Sequence, residues 1–384
     1  MRSVPLLDGP VSITGMLGSD PTPDGFVVRR LPDWTKPQIT DPLLALMTTM
    51  PSGVRLEFTT TSSVIELDVL VTGLRLVPQA ARPATFDLKV NGSVFASRST
   101  DSGHKLIIDF RDRDSLEFEA GEPTTIRFDD LGTNDKRVEI WLPHNATVEL
   151  RAMRVDDGAS VTSASPLDNP VWVHYGSSIS HCMEANRPTG TWPAVAASLA
   201  RVDLRSLGLA GACHLDQFVA RTIRDMPADL ISLKVGINVF NADSFKERTF
   251  APALHGFLDT VREGKPTTPI LVVSPIICPP GEMHPGPSIP TLDGKYSVDT
   301  RPESKWYGSL TLSAIRATIE QVVAVRQQLG DDNLHYLNGL ELFGTADAGG
   351  LPDDLHPSSD GYQLIGERFA ELAFGPGRSF DRSH

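Results

Sequence analysis

The sequence predicts an α/β chain in two parts: an all-β sandwich of jelly-roll type, then a parallel sheet covered by helices on both faces. Two textures and a seam carry this. Through about residue 158, apolar and polar residues alternate in short runs, the period of a half-buried strand. From about residue 170, short apolar strands alternate with amphipathic stretches, as in βαβ units. Between them, Asp156–Asn169 is small, polar and proline-bearing, which is linker chemistry. The expected division is 1–158, a linker over 159–169, and 170–384.

In the first part, Val54, Leu56 and Phe58 alternate with Arg55, Glu57 and Thr59, and Ile65, Leu67 and Val69 with Glu66 and Asp68. Phe86, Leu88 and Val90 alternate with Asp87 and Lys89, and Asn91-Gly92 then supplies a hairpin turn. Further strand runs follow at Leu106–Phe110, Thr125–Phe128, Val138–Leu142 and Thr147–Val155, and nothing here has a sustained helical period. Several short alternating strands with polar turns suggest a sandwich or jelly roll.

In the second part, strands are expected at Val171–Tyr175, Val202–Leu207, Leu230–Val235 and Ile270–Pro275, with a short apolar run at Tyr336–Leu342. Helices are expected at Trp192–Val202, His214–Met226, Phe250–Arg262, Leu310–Leu329 and Gly361–Phe374. Cys278 to Gly308 is a proline-rich insertion with little periodicity. It follows the carboxyl end of a strand and reads as a pocket wall or lid. Arg301 and Trp306 within it are candidate substrate contacts.

Composition narrows the class of function. A formal net charge of −13 disfavours nucleic acid and anionic lipid as partners. The amino terminus lacks the apolar run of a signal peptide, and no segment approaches a membrane span. Three cysteines, Cys182, Cys213 and Cys278, cannot all pair within one chain. That suits a reducing compartment, and a cytoplasmic protein is expected.

Four short motifs fall at strand ends. Val171–Ser180 (VWVHYGSSIS) is a buried strand running through Gly176 into Ser177 and Ser178. The next strand leads to Gly211, and the third to Gly236-Ile237-Asn238. A backbone N–H and a side-chain amide are the donors an oxyanion hole needs. Asp353-Asp354-Leu355-His356 precedes the last helix, and an aspartate three residues ahead can orient the imidazole as a base toward a serine.

In this order the chain resembles the SGNH (GDSL-type) hydrolases over about residues 170–375. The resemblance implies a flavodoxin-like three-layer α/β/α fold. It puts Ser178 in the nucleophile's place, with Asp353 and His356 completing the triad. It gives the oxyanion hole to the N–H groups of Ser178 and Gly211 and to the amide of Asn238. The amino-terminal sandwich is similar to that of certain carbohydrate esterases of the group. Ser177 and Val239 stand where the family usually has aspartates, which puts the support of these loops in question.

The implied function is a serine esterase that removes small acyl groups, acetyl foremost, from a carbohydrate or glycosylated metabolite, with no cofactor. The alternatives are an acyltransferase or longer-chain lipase-like hydrolase on the same site, or a catalytically idle carbohydrate-binding protein. Ser177 is the rival nucleophile. His181-Cys182 and Cys213-His214 lack the paired spacing of structural zinc sites, so no metal is expected. His214 and Asp216 either face the pocket or cap the helix that follows. His174, inside a strand, reads as a core residue.

Overall fold

Two sheets built by residue alternation form the amino-terminal unit of this computed structural model. It describes all residues except 78, 79, 110, 111 and 382–384, together with the side chains of 112–114. An eight-stranded sheet runs in the order Asp112–Glu119, His104–Asp109, Ile65–Val77, Ala146–Val155, Phe26–Arg29, Gly18–Pro21. Arg2–Val4 pairs beside Ala146–Val155, and Thr124–Phe128 beside Ile65–Val77. The six-stranded sheet runs Val161–Thr162, Arg55–Thr60, Lys136–Trp141, Ala84–Val90, Ser93–Thr100, with Ser12–Thr14 beside Arg55–Thr60.

Alternate residues of both sheets share one core. Ile65, Leu67 and Val69 come from the first, and Leu56, Phe58, Phe86, Leu88, Val138 and Ile140 from the second. This is the packing of a sandwich. Each such side chain, fully buried, contributes about 1.5–3 kcal/mol. Asn91 and Gly92 both have positive φ, 49° and 85°, and join two paired strands, as the Asn-Gly dipeptide requires.

Two expectations for this part are corrected, and a third falls in part outside the described residues. The absence of helix fails at Pro42–Thr49, where Asp41 accepts hydrogen bonds from the N–H groups of Leu43 and Leu44 and Pro42 takes the first helical position. Eight residues are too few for a helical period to stand out; the Asp-Pro start was the readable signal. The strand expected at Leu106–Phe110 is described over His104–Asp109, and Phe110 lies outside the described residues. The expected linker carries the strand Val161–Thr162, which pairs with Arg55–Thr60. The division between the two units accordingly falls between Asp168 and Asn169, and Asn186–Thr189 also groups with the amino-terminal unit.

The second unit holds a five-stranded, all-parallel sheet in the order Asp203–Gly208, Val171–Gly176, Leu230–Lys234, Ile270–Val273, Leu334–Leu337. In chain order this is 2-1-3-4-5, the flavodoxin-like arrangement, whose switch point lies beside the first strand. Successive residues of that strand serve opposite faces. Trp172 stacks on Phe369 of the helix Ser359–Phe374 and tilts against Trp192 of Trp192–Ala200. Tyr175 stacks on Phe257 of Glu247–Gly264 on the other side.

The insertion after Ile270–Val273 has more structure than its composition suggested. Ser288–Pro290 and Tyr296–Val298 form an antiparallel hairpin, flanked by short 3₁₀ turns at Pro279–Gly281 and Glu303–Lys305. Prolines concealed the hairpin because each of its strands is only three residues long.

Candidate active site

The strand Val171–Gly176 ends under a four-residue helix, Ser178–His181. Ser177 is its N-cap, and its Oγ accepts the N–H of Ile179. The hydroxyl of Ser177 is thereby committed to the backbone, while Ser178 stands at the first helical position. The helix rests directly on the next strand: a Cβ on Gly208 would fall 2.6 Å from the nitrogen of His181, so only glycine fits there.

Ser178 Oγ lies 2.9 Å from Nε2 of His356, and Nδ1 of His356 lies 2.7 Å from Oδ2 of Asp353. The other oxygen of Asp353 accepts the backbone N–H groups of His356 at 2.6 Å and Leu355 at 3.0 Å. Burial alone would raise the Asp353 carboxyl. The hydrogen bond and charge of His356, with those two N–H groups, outweigh it and hold the carboxyl below its ordinary value. An ionised carboxylate on Nδ1 fixes the tautomer that leaves Nε2 facing the serine as an acceptor.

The three expected oxyanion donors are unoccupied among the described residues: no hydrogen bond uses the N–H of Ser178 or Gly211 or the Nδ2 of Asn238. Asn238 sits on Ile237–Ala242 after Gly236, whose φ is 110°. Its Oδ1 accepts the N–H of Cys213 at 3.0 Å, which directs the NH₂ group the other way. Sequence reasoning missed this bond because it joins a loop to a helix through a backbone atom.

The weaker candidates are dispersed. His214 bridges Ser244 Oγ at 2.9 Å and the carbonyl of Gly211 at 3.2 Å, bracing the loop of the oxyanion glycine. Asp216 stands at the N-cap of Gln217–Asp225, without a side-chain bond to that helix's N–H groups. Arg301 donates to the carbonyl of Gly286 and to Ser309 Oγ, and Trp306 Nε1 donates to the carbonyl of Arg301. Both line a cavity with Asp243 and Lys246 that includes no triad residue. The insertion residue that meets the triad is Tyr296, whose ring packs edge-on to His356 with centroids 5.7 Å apart and whose N–H donates to the carbonyl of Asp353.

Beneath the site, His174 is fully buried between Ser232 Oγ and Ser180 Oγ, at 2.7 and 2.8 Å. Burial, with the nearby charge of Lys234, pushes its imidazole down to about 3, so it stays neutral. Lys234 itself is 1% exposed, and its Nζ has no hydrogen-bond partner. Burial lowers its ammonium to about 8, against the opposing pull of Cys213 and Cys182. All three cysteines are free and buried; burial pushes the Cys182 thiol up, and those of Cys213 and Cys278 up to about 12. Among the described residues, no group of three or more His, Cys, Asp or Glu side chains could hold a metal ion.

Residues 174–364 match the model of the GDSL-like Lipase/Acylhydrolase family. They form a GDSL-like lipase/acylhydrolase domain. The activity of that domain's family is carboxylic ester hydrolysis of the GDSL (SGNH) type, and a β-rich domain precedes it in the chain. No curated protein matches the chain. Among solved structures, it is similar to the salicylyl-acyltransferase SsfX3 from a tetracycline biosynthetic pathway. They share 27% identity over 96% of this chain and 95% of that one, with a TM-score of 0.79. A putative GDSL-like lipase from Bacteroides ovatus has 20% identity over 94% of each chain and a TM-score of 0.65. A family two carbohydrate esterase from Clostridium thermocellum, in complex with cellohexaose, has 14% identity over 94% and 97%, with a TM-score of 0.60. The last two share the GDSL fold, and both include the amino-terminal unit in the match. Among the described residues, no helix is long and apolar enough to cross a membrane.

Proposed function

We propose that this GDSL hydrolase is a serine esterase that removes short acyl groups, acetyl foremost, from a carbohydrate or glycosylated metabolite. The observation that carries the chemistry is the line Ser178 Oγ, His356, Asp353, with bonds of 2.9 and 2.7 Å. His356 Nε2 takes the proton of Ser178 as Oγ attacks the ester carbonyl, and Asp353 stabilises the imidazolium that forms. The oxyanion meets the N–H groups of Ser178 and Gly211 and the Nδ2 of Asn238. The alcohol leaves with the proton from His356, and water, activated by the same imidazole, then releases the acyl group.

The carbohydrate assignment draws on the likeness to the family two carbohydrate esterase in fold and in domain order. Three unpaired thiols fit a reducing compartment such as the cytoplasm. The test compares p-nitrophenyl acetate with p-nitrophenyl octanoate. A higher kcat/KM for acetate is expected, and a preference for octanoate would remove the short-acyl assignment.

A second reading is favoured by one observation. The likeness to the salicylyl-acyltransferase extends over nearly the whole of both chains. In that reading an acceptor alcohol replaces water in the second step. Incubation with an acyl donor and a range of alcohols discriminates the two, because a transferase forms the new ester in preference to free acid.

A further inference from the structure

The helix that carries Ser178 is a single turn, Ser178–His181. Its own bonds are few: the N–H groups of Ser180 and His181 donate to the carbonyl of Ser177, and that of Cys182 to the carbonyl of Ser178. One turn of helix is unstable by itself, so contacts from outside decide where it sits. Two buried side chains from other elements supply them. Trp192 Nε1 donates to the carbonyl of Ile179 at 2.8 Å. Nε2 of His174 lies 2.8 Å from Oγ of Ser180, two residues beyond Ser178.

His174 bears on both contacts. Its ring packs edge-on to the indole of Trp192, with centroids 4.6 Å apart. Its Nδ1 lies 2.7 Å from Ser232 Oγ, which also accepts Trp172 Nε1 at 2.8 Å. The imidazole is thus held at both nitrogens, by the strand Leu230–Lys234 on one side and by the helix of Ser178 on the other. Gly176 leaves room for the link. A Cβ there would fall 2.2 Å from Ser180 Oγ and 3.3 Å from His174 Nε2, on the bond itself.

We propose that His174 is a positioning residue: through Ser180 it sets the helix of Ser178 so that Ser178 Oγ meets His356 Nε2. The proposal rests on the reading of Ser178 and His356 as the catalytic pair. His174 is fully buried, so it acts only through the residues it holds. A neutral imidazole has one donor and one acceptor, and a serine hydroxyl complements either. Both bonds are therefore satisfied without placing a charge beneath the site. The link matters because a reacting atom misplaced by about 1 Å can lose on the order of 10²-fold in rate.

The test uses the full chain, p-nitrophenyl acetate as substrate and a fluorophosphonate probe to count reactive sites. His174→Phe keeps a ring against Trp192 and loses both bonds; Ser180→Ala loses a single oxygen. Each should lower kcat per labelled site roughly 10- to 100-fold, with KM nearly unchanged. The double variant should be no slower than the slower single one, as a single broken link requires. His174→Gln, whose amide offers Ser180 a partner again, should recover most of the loss. A purely structural role predicts instead a lower urea midpoint with kcat per labelled site unchanged. That result in Ser180→Ala, which disturbs the core least, overturns the proposal even where His174→Phe does not fold. Losses that multiply in the double variant overturn it as well. A wild-type chain that neither hydrolyses the ester nor takes the label removes the esterase reading, and the proposal with it. An active, labelled wild type matched by Ser180→Ala removes the positioning role alone.

Discussion

The backbone N–H of Cys213 donates to Oδ1 of Asn238 at 3.0 Å, so the loop after the second parallel strand sets the direction of an amide that follows the third. One bond thus holds the two proposed oxyanion donors, Gly211 and Asn238, in a common frame. Asn238→Ala removes the Nδ2 donor, and kcat should fall on the order of 10²–10³-fold. Asn238→Asp keeps an acceptor for Cys213 but puts a carboxylate where negative charge develops, so it should be slower still. Steady-state kinetics on p-nitrophenyl acetate compare the two; an aspartate variant faster than the alanine variant would remove Asn238 from the oxyanion hole.

The adjacent serines separate by role. Ser178→Ala should abolish labelling by a fluorophosphonate probe. Ser177→Ala should keep the label and lose about 1 kcal/mol of stability, because only the cap to Ile179 is removed. Labelling followed by urea titration distinguishes them, and loss of label in Ser177→Ala alone would move the nucleophile to Ser177.

Asp353→Asn retains an oxygen for the N–H groups of His356 and Leu355, so the turn should persist. The carboxylate on Nδ1 is gone, the tautomer is no longer fixed, and kcat should fall about 10³–10⁴-fold. An unchanged circular dichroism spectrum with that loss supports orientation of the imidazole as the function of Asp353. A loss below tenfold would count against it.

Lys234→Met should stabilise the protein at pH 7. The folded ammonium titrates at about 8, against 10.5 for the free side chain. Between these values the unfolded chain binds more protons, so this residue's contribution to stability rises with pH. Below pH 8 both states are charged and folding bears the whole cost of burial, on the order of 3 kcal/mol. The advantage of Lys234→Met should therefore be greatest at pH 7 and shrink toward pH 10. Urea titrations of both proteins at the two pH values measure it, and the difference between them cancels the buried tyrosines and cysteines. A gap that does not narrow would mean that both states bind the proton equally over this range, so that burial does not lower the Lys234 ammonium.

Much of this was readable in the sequence because it is local. Strand alternation around Leu56 and Leu67, the Asn91-Gly92 turn and the parallel strand-helix rhythm from Val171 depend on neighbours a few residues away. So does Asp353 with His356. The helix Pro42–Thr49 and the hairpin ending at Val298 were too short to show a period. Lys234 was hidden for another reason. A lysine at a strand end reads as a solvated terminus, and only the tertiary fold reveals that it is buried, near enough for its charge to act on His174 and Cys182. The partnership of Cys213 with Asn238 spans 25 residues and uses a backbone atom, which no residue identity announces.

The proposed acid and base, Asp353 and His356, share one turn of chain, whereas Ser178 lies 178 residues away. The imidazole therefore carries its own support wherever that turn goes, and a single long-range distance has to be kept by the whole domain. Mild urea should extinguish turnover while the helical signal is still intact, because widening that gap by an ångström disables proton transfer long before any strand lets go.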